Sequence, residues 1–136
     1  MLSQEMARQT LLALAPRDPR ATSRVSIERE TVRMCLVHTG EPSRRAVVSQ
    51  SDLTQYSMWL DGGFGISYIE EDLTEEEAVL RLTEFVTISV EYILNGAKRS
   101  RTRLFRTPFL EIATAEGNHE VYRMGGRLVD PTAVCG

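Results

Sequence analysis

The stretch TEEEAVLRLTEFVTISVEYILNG, Thr74 to Gly96, constrains the fold of this chain more than any other. Thr74 followed by Glu77 is a capping box. The threonine hydroxyl accepts from an orphan amide of the first turn, and the glutamate reaches back to the cap. Glu75 and Glu76 place negative charge at the positive end of the helix dipole. Ala78, Val79, Leu82, Phe85, Val86, Val90, Ile93 and Leu94 then recur at helical spacing, a broad apolar stripe that must be buried against another layer. Asn95-Gly96 supplies a residue tolerant of positive φ, and Lys98 and Arg99 lie just beyond the carbonyl end. β-Branched residues crowd the centre (Val86, Thr87, Ile88, Val90), so burial rather than propensity has to hold that turn. The helix organises a fold and carries no recognisable chemistry.

The rest of the chain supplies mostly strands to cover that stripe. Ser3 caps a first helix from about Gln4 to Ala15, with Met6, Ala7, Leu11 and Leu14 facing inward. Pro16 and Pro19 end it. From Arg24 to Thr39 the residues alternate. Val32, Met34 and Leu36 form a deep face against Arg33, Cys35 and Val37, and Val25 and Ile27 suggest a separate strand across a turn near Arg29. Gly40-Glu41-Pro42-Ser43 is a turn, and Arg45 to Gln50 pairs back. Ser51 to Leu60 has two readings, a short capped helix or a strand. The strand from Tyr56 is preferred, because Asp61-Gly62-Gly63 is a hairpin signal leading into Phe64, Ile66 and Tyr68. After the long helix, Arg101 to Arg106 reads as a strand, with Pro108 at a bulge or edge. Phe109 to Thr114 and His119 to Met124 form a hairpin about Glu116-Gly117-Asn118. The expected fold is α+β: an antiparallel sheet of about five to six strands, a long helix packed on one face, and a short N-terminal helix.

At 136 residues the chain forms a single domain over 1–136, with 126–136 as a loosely attached tail. A chain of this size buries about two thirds of its unfolded surface without covalent staples. Two cysteines, Cys35 and Cys135, are too few to define a disulfide framework. No apolar run is long enough to span a bilayer, and the N-terminus lacks the basic start and apolar core of a signal peptide. A cytoplasmic protein with no membrane association is the expectation.

Catalytic and metal chemistry find little support. Cys35, His38, His119 and Cys135 are scattered, never paired at finger spacing, and Cys35 and His38 fall on opposite faces of one strand. Cys35 reads as a small core residue, the histidines as surface imidazoles. No serine sits in a nucleophile elbow, and His119 and Glu120 are adjacent on a strand and so point apart. The Gly62-Gly63-Phe64-Gly65 cluster runs into a strand rather than a helix N-terminus, so a hairpin explains it better than a phosphate loop. No metal, cofactor or catalytic residue is assigned, and the chain leans towards a non-enzyme.

Charge is distributed more tellingly. Glu70, Glu71 and Asp72, then Glu75, Glu76 and Glu77, place six acids within eight residues. The helix dipole accounts for the last three, which leaves Glu70, Glu71 and Asp72 as a secondary acidic patch. At the opposite pole stand Lys98, Arg99, Arg101, Arg103 and Arg106, in a chain of net charge −3. On a strand, Arg101 and Arg103 would share one face with Phe105. The preferred reading is a non-catalytic protein-binding module of the inhibitor, immunity-type or chaperone-like kind. It would meet an acidic protein partner through Lys98, Arg99, Arg101, Arg103, Phe105 and Arg106. Two alternatives stand. One is a ligand-binding domain or small enzyme with a helix–sheet pocket where Tyr56, Trp59, Tyr68 and His119 converge. The other, less favoured, is a single-stranded nucleic-acid binder using residues 98–106. A homo-oligomer is left open.

Overall fold

A computed structural model describes residues 2–123 together with Pro131 and Cys135. In chain order the elements are α1 (Gln4–Ala13), β1 (Ala21–Glu28), β2 (Thr31–His38), β3 (Arg45–Ser51), β4 (Gln55–Leu60), β5 (Gly65–Ile69), α2 (Glu75–Asn95), β6 (Lys98–Arg101), β7 (Pro108–Thr114) and β8 (Gly117–Tyr122). The strands make two antiparallel sheets, a meander β1-β2-β3-β4-β5 and a smaller sheet β6-β7-β8. An isolated bridge, Phe64 to Arg123, joins the edge of one sheet to the edge of the other. The fold is α+β, as the order of patterns predicts. No helix among the described residues is long and apolar enough to cross a membrane.

Both caps form as the sequence implies. The Ser3 hydroxyl accepts from the Met6 amide at 3.2 Å. Thr74 Oγ1 accepts from the Glu77 amide at 3.2 Å, and Glu77 Oε1 accepts from the Thr74 amide at 3.3 Å, which completes the capping box. Thr74→Ala is therefore expected to remove about 0.5–2 kcal/mol of stability in denaturant unfolding, with binding untouched. Unchanged stability together with lost binding would move Thr74 from a cap into a site. α1 stops two residues before Ala15, and Met6 is 39 % exposed rather than inward, while Ala7 and Leu11 are fully buried.

α2 lies across the large sheet and also against β7. Its buried set is Ala78, Leu82, Phe85, Val86, Ile88, Ser89 and Ile93. Ile88 and Ser89 widen the predicted stripe, because the helix has the meander on one side and β7 on another. The chain turns out of the helix at Gly96, with φ of 74°. Its carbonyl end is met by Arg44, whose Nη1 donates to Ile93 O at 3.0 Å, and not by Lys98 or Arg99. Those two cations are released from the fold-level task that the sequence suggests for them.

Of the segment 51–60, Ser51 ends β3, residues 52–54 turn, and Gln55–Leu60 is strand, with Tyr56 to Leu60 buried. Register sorts the meander into two faces. Val25, Met34, Val48, Met58 and Ile66 form one row towards the helices, and Gln50, in the next row, donates to Leu2 O at 2.9 Å. Arg24, Cys35, Val47, Trp59 and Gly65 form a row on the other face. There Gly65 is required by packing. A Cβ would fall into the Trp59 ring and 2.6 Å from the Met58 carbonyl oxygen.

Two expectations are corrected, and a third lies largely outside the described residues. Arg101–Arg106 is not a strand: β6 ends at Arg101, residues 103–105 turn, and Arg106 has φ of 50°. Cys35 is not a free core thiol but is bonded to Cys135, 100 residues away in sequence. That pairing is also one a count of two cysteines did not specify. The expected loose tail at 126–136 falls largely outside the described residues, of which Cys135 is covalently held to β2 and Pro131 is buried.

Candidate functional site

The β6–β7 turn is built by a few local bonds. Thr102 donates its amide to Thr107 O at 3.0 Å, and Thr102 Oγ1 accepts from the Thr107 amide at 2.9 Å. Arg101 Nη1 donates to Arg106 O at 3.2 Å across the turn. Pro108, without an amide hydrogen, pairs with Arg101, where a ladder bond from β7 is not needed. Leu104 and Phe105 stand at the tip, 81 % and 82 % exposed.

Because the chain turns at 103–105 instead of continuing as a strand, Arg106 returns beside Arg101 and Arg103 rather than facing away. A groove of about 520 Å³ results. Its charged lining among the described residues consists of Arg99, Arg101, Arg103, Arg106 and Arg123, with no described carboxylate among them. Phe64, Pro108 and Phe109 supply apolar surface. Arg123 is placed by the strand bridge to Phe64. Its Nε donates to Gly62 O at 3.1 Å, and its guanidinium lies 5.1 Å from the Phe64 ring centre, a cation–π contact. Among the described residues none of these five guanidiniums is in a salt bridge, whereas Arg8, Arg20, Arg33, Arg44 and Arg81 all are. Like charges held together without a counter-charge repel one another, so an arriving anion gains both its own attraction and relief of that repulsion.

Lys98 stands apart, with Nζ 3.9 Å from Glu111 Oε2. Of the predicted contact set, Arg99, Arg101, Arg103 and Arg106 converge in the groove and Phe105 is carried at its tip. Sequence reasoning misses Arg123, Phe64, Pro108 and Phe109. For Arg123 no local signal exists, since only the pairing of β5's entry with β8's exit brings it in.

Arg99 also lines a neighbouring hollow with Arg44, Asp61 and Tyr92. Asp61 Oδ2 accepts from the Arg45 amide at 2.6 Å and from the Tyr92 hydroxyl at 2.9 Å. Burial, with the Asp61 carboxylate beside it, pushes the Tyr92 hydroxyl well above its usual range, so it stays a proton donor. This arrangement pins the Gly62–Gly63 turn, and with it Phe64, against the end of α2. It is a structural strut to one wall of the groove.

The acidic patch divides. Glu70 Oε1 lies 2.6 Å from Arg81 Nη2, and the Arg81 guanidinium also meets Glu84 at 3.1 Å and sits 4.5 Å from the Tyr68 ring centre. Glu70 is thus spent on the fold. Glu71 and Asp72 are exposed. α2, at 21 residues, separates them from the arginine groove by a helix length of about 30 Å.

Other candidate residues do not assemble. His38 Nδ1 accepts from the amides of Gly40 and Glu41, both at 3.0 Å, and His119 Nε2 lies 2.9 Å from Thr114 Oγ1. Both imidazoles serve turns. Among the described residues no three of histidine, cysteine, aspartate and glutamate gather as metal ligands. Tyr56 and Tyr68 are register partners on the helix side of the meander, Trp59 faces the other way, and His119 belongs to the smaller sheet. The four do not converge on a helix–sheet pocket. Comparison with protein-family models, curated proteins and solved structures finds no match for this chain.

Proposed function

We propose that this chain is a non-catalytic protein-binding module that holds an acidic protein partner in the arginine groove at the β6–β7 turn. The observation that carries the reading is the convergence of five guanidiniums, from Arg99, Arg101, Arg103, Arg106 and Arg123, with no carboxylate among the groove's described lining residues. Planar guanidiniums bind carboxylates in paired hydrogen bonds, and Leu104 and Phe105 at the tip offer apolar anchors beside them. Phe64 and Phe109 are 2 % and 7 % exposed, so neither presents a ring face on which bases could stack. Phe105, 82 % exposed at the tip, could stack one base, but a single strand is held by successive stacking platforms, so the groove favours a protein partner. The reading keeps the cytoplasmic setting expected from the sequence, which the Cys35–Cys135 bond neither supports nor opposes.

The double reversal Arg101→Glu and Arg103→Glu tests it. Fluorescence anisotropy with a glutamate-rich peptide and with a single-stranded oligonucleotide of matched charge gives two affinities. Peptide affinity should fall by roughly tenfold or more at low salt, mainly through slower association, while thermal unfolding hardly moves. Unchanged peptide affinity would reduce the groove to a solubilising surface. Tight oligonucleotide binding lost on reversal would put nucleic acid in the partner's place.

A further inference from the structure

The arginine groove is bordered by a strand edge that is open among the described residues. β6 pairs with β7 on one side, and no described strand pairs with its other side. The Thr102–Thr107 bond sets the phase of the ladder. Bonded and unbonded pairs alternate along antiparallel strands, so Lys98 and Ser100 turn their backbone groups towards β7. Arg99 and Arg101 turn theirs outward, and both residues are exposed. Pro108 fits this phase, since it stands opposite Arg101, where no donor to β6 is called for.

The edge strands β1 and β6, one from each sheet, are charged differently. β1, eight residues long, carries one cation, Arg24, and one acid, Glu28. Mixed and sparse charge of that kind blunts an edge without favouring a partner. β6 carries Lys98, Arg99 and Arg101 in four residues and no acid. Two copies of β6 placed edge to edge would bring like charges together, which disfavours self-pairing. An acidic strand meets the opposite condition.

We propose that the partner docks as an extended acidic segment that adds as a strand to the outer edge of β6. Its backbone bonds the outward amides and carbonyls of Arg99 and Arg101. Its carboxylates, on alternate residues, meet the guanidiniums of the groove. This deepens the reading of the groove as an acidic-protein site and rests on it. Strand addition divides the work: main-chain bonds supply affinity, and alternate side chains supply selectivity. Side chains on one face of a strand repeat about every 6.5–7 Å, so an acidic residue at every second position presents a row of carboxylates to the groove. A helical acidic segment could satisfy the arginines but not the β6 edge.

The test uses the full chain and a labelled peptide of alternating glutamate and threonine, with two derivatives. One is N-methylated on every glutamate, the other on every threonine. Charge and side chains are the same in all three. Strand addition turns one set of peptide amides towards β6 and the other away. One derivative should therefore bind roughly tenfold or more weaker than the parent, and the other within about twofold. Amide hydrogen exchange at Arg99 and Arg101 should slow on binding the parent peptide. Equal binding by all three peptides, with unchanged exchange at those amides, overturns strand addition while leaving the groove reading intact. Failure of the parent peptide to bind, or binding indifferent to Arg101→Glu and Arg103→Glu, overturns both.

Discussion

Phe85→Ala is expected to lower the unfolding free energy by about 3–5 kcal/mol, the range for truncating a buried phenylalanine. Phe85 is fully buried on α2, with Leu82 and Val86 beside it in the same core. Its ring stacks on Tyr68 with centroids 6.0 Å apart, and Tyr68 in turn carries the Arg81 guanidinium that Glu70 holds. Removing the ring leaves a cavity and also withdraws the support under Tyr68, which is 40 % exposed and only partly able to collapse inward. Domains of this size are stable by about 5–15 kcal/mol, so the variant should be close to its folding threshold. Urea titration followed by circular dichroism measures the change. A loss below about 1 kcal/mol would mean that the helix presents a different face to the sheet.

Breaking the Cys35–Cys135 bond should cost a comparable amount, about 2–5 kcal/mol. The bond closes a sequence separation of 100 residues. In the chain-entropy account a loop of that length restricts the unfolded ensemble by about 4–5 kcal/mol. Cys35 is 5 % exposed, in the row with Val47 and Trp59 on the face of the meander turned away from α1 and α2. Trp59 is the single tryptophan of the chain, so its fluorescence reports directly on that face. Oxidised protein, reduced protein and the Cys35→Ala, Cys135→Ala double variant should give three urea curves, the last two shifted together to lower midpoints. Coincidence of all three, with thiol titration confirming complete reduction, would show that the bond restrains little. The protein as purified should titrate no free thiol.

How much of this was legible in the residues depends on how far each feature reaches along the chain. The Thr74–Glu77 box and the Ser3 cap lie within four consecutive residues, and both form with the expected partners. The alternation of Val32, Met34 and Leu36 set the inward face of β2, and Asp61-Gly62-Gly63 set the hairpin that settled Tyr56–Leu60 as strand. Errors begin where a local pattern competes with tertiary demand. Arg101–Arg106 alternates like a strand, yet Thr102 and Thr107 close on each other and bend it. The same bend is what gathers Arg101, Arg103 and Arg106 on one groove instead of splitting them between faces.

The sequence by itself determined the α+β class, the capped helix with its buried stripe, the hairpins and the cationic tract. Each of these is decided by dihedral preference, capping or periodicity over a few residues. Tertiary structure alone decided the rest. The Cys35–Cys135 bond joins residues 100 apart. Arg44 takes the carbonyl end of α2 from 49 residues away, freeing Arg99 for the groove. Arg123 enters that groove across a separation of 61 from Gly62. Contacts of this reach form only after the sheets have closed. Chain entropy resists bringing distant residues together until burial of the α2 stripe compensates for it, so no local propensity encodes them.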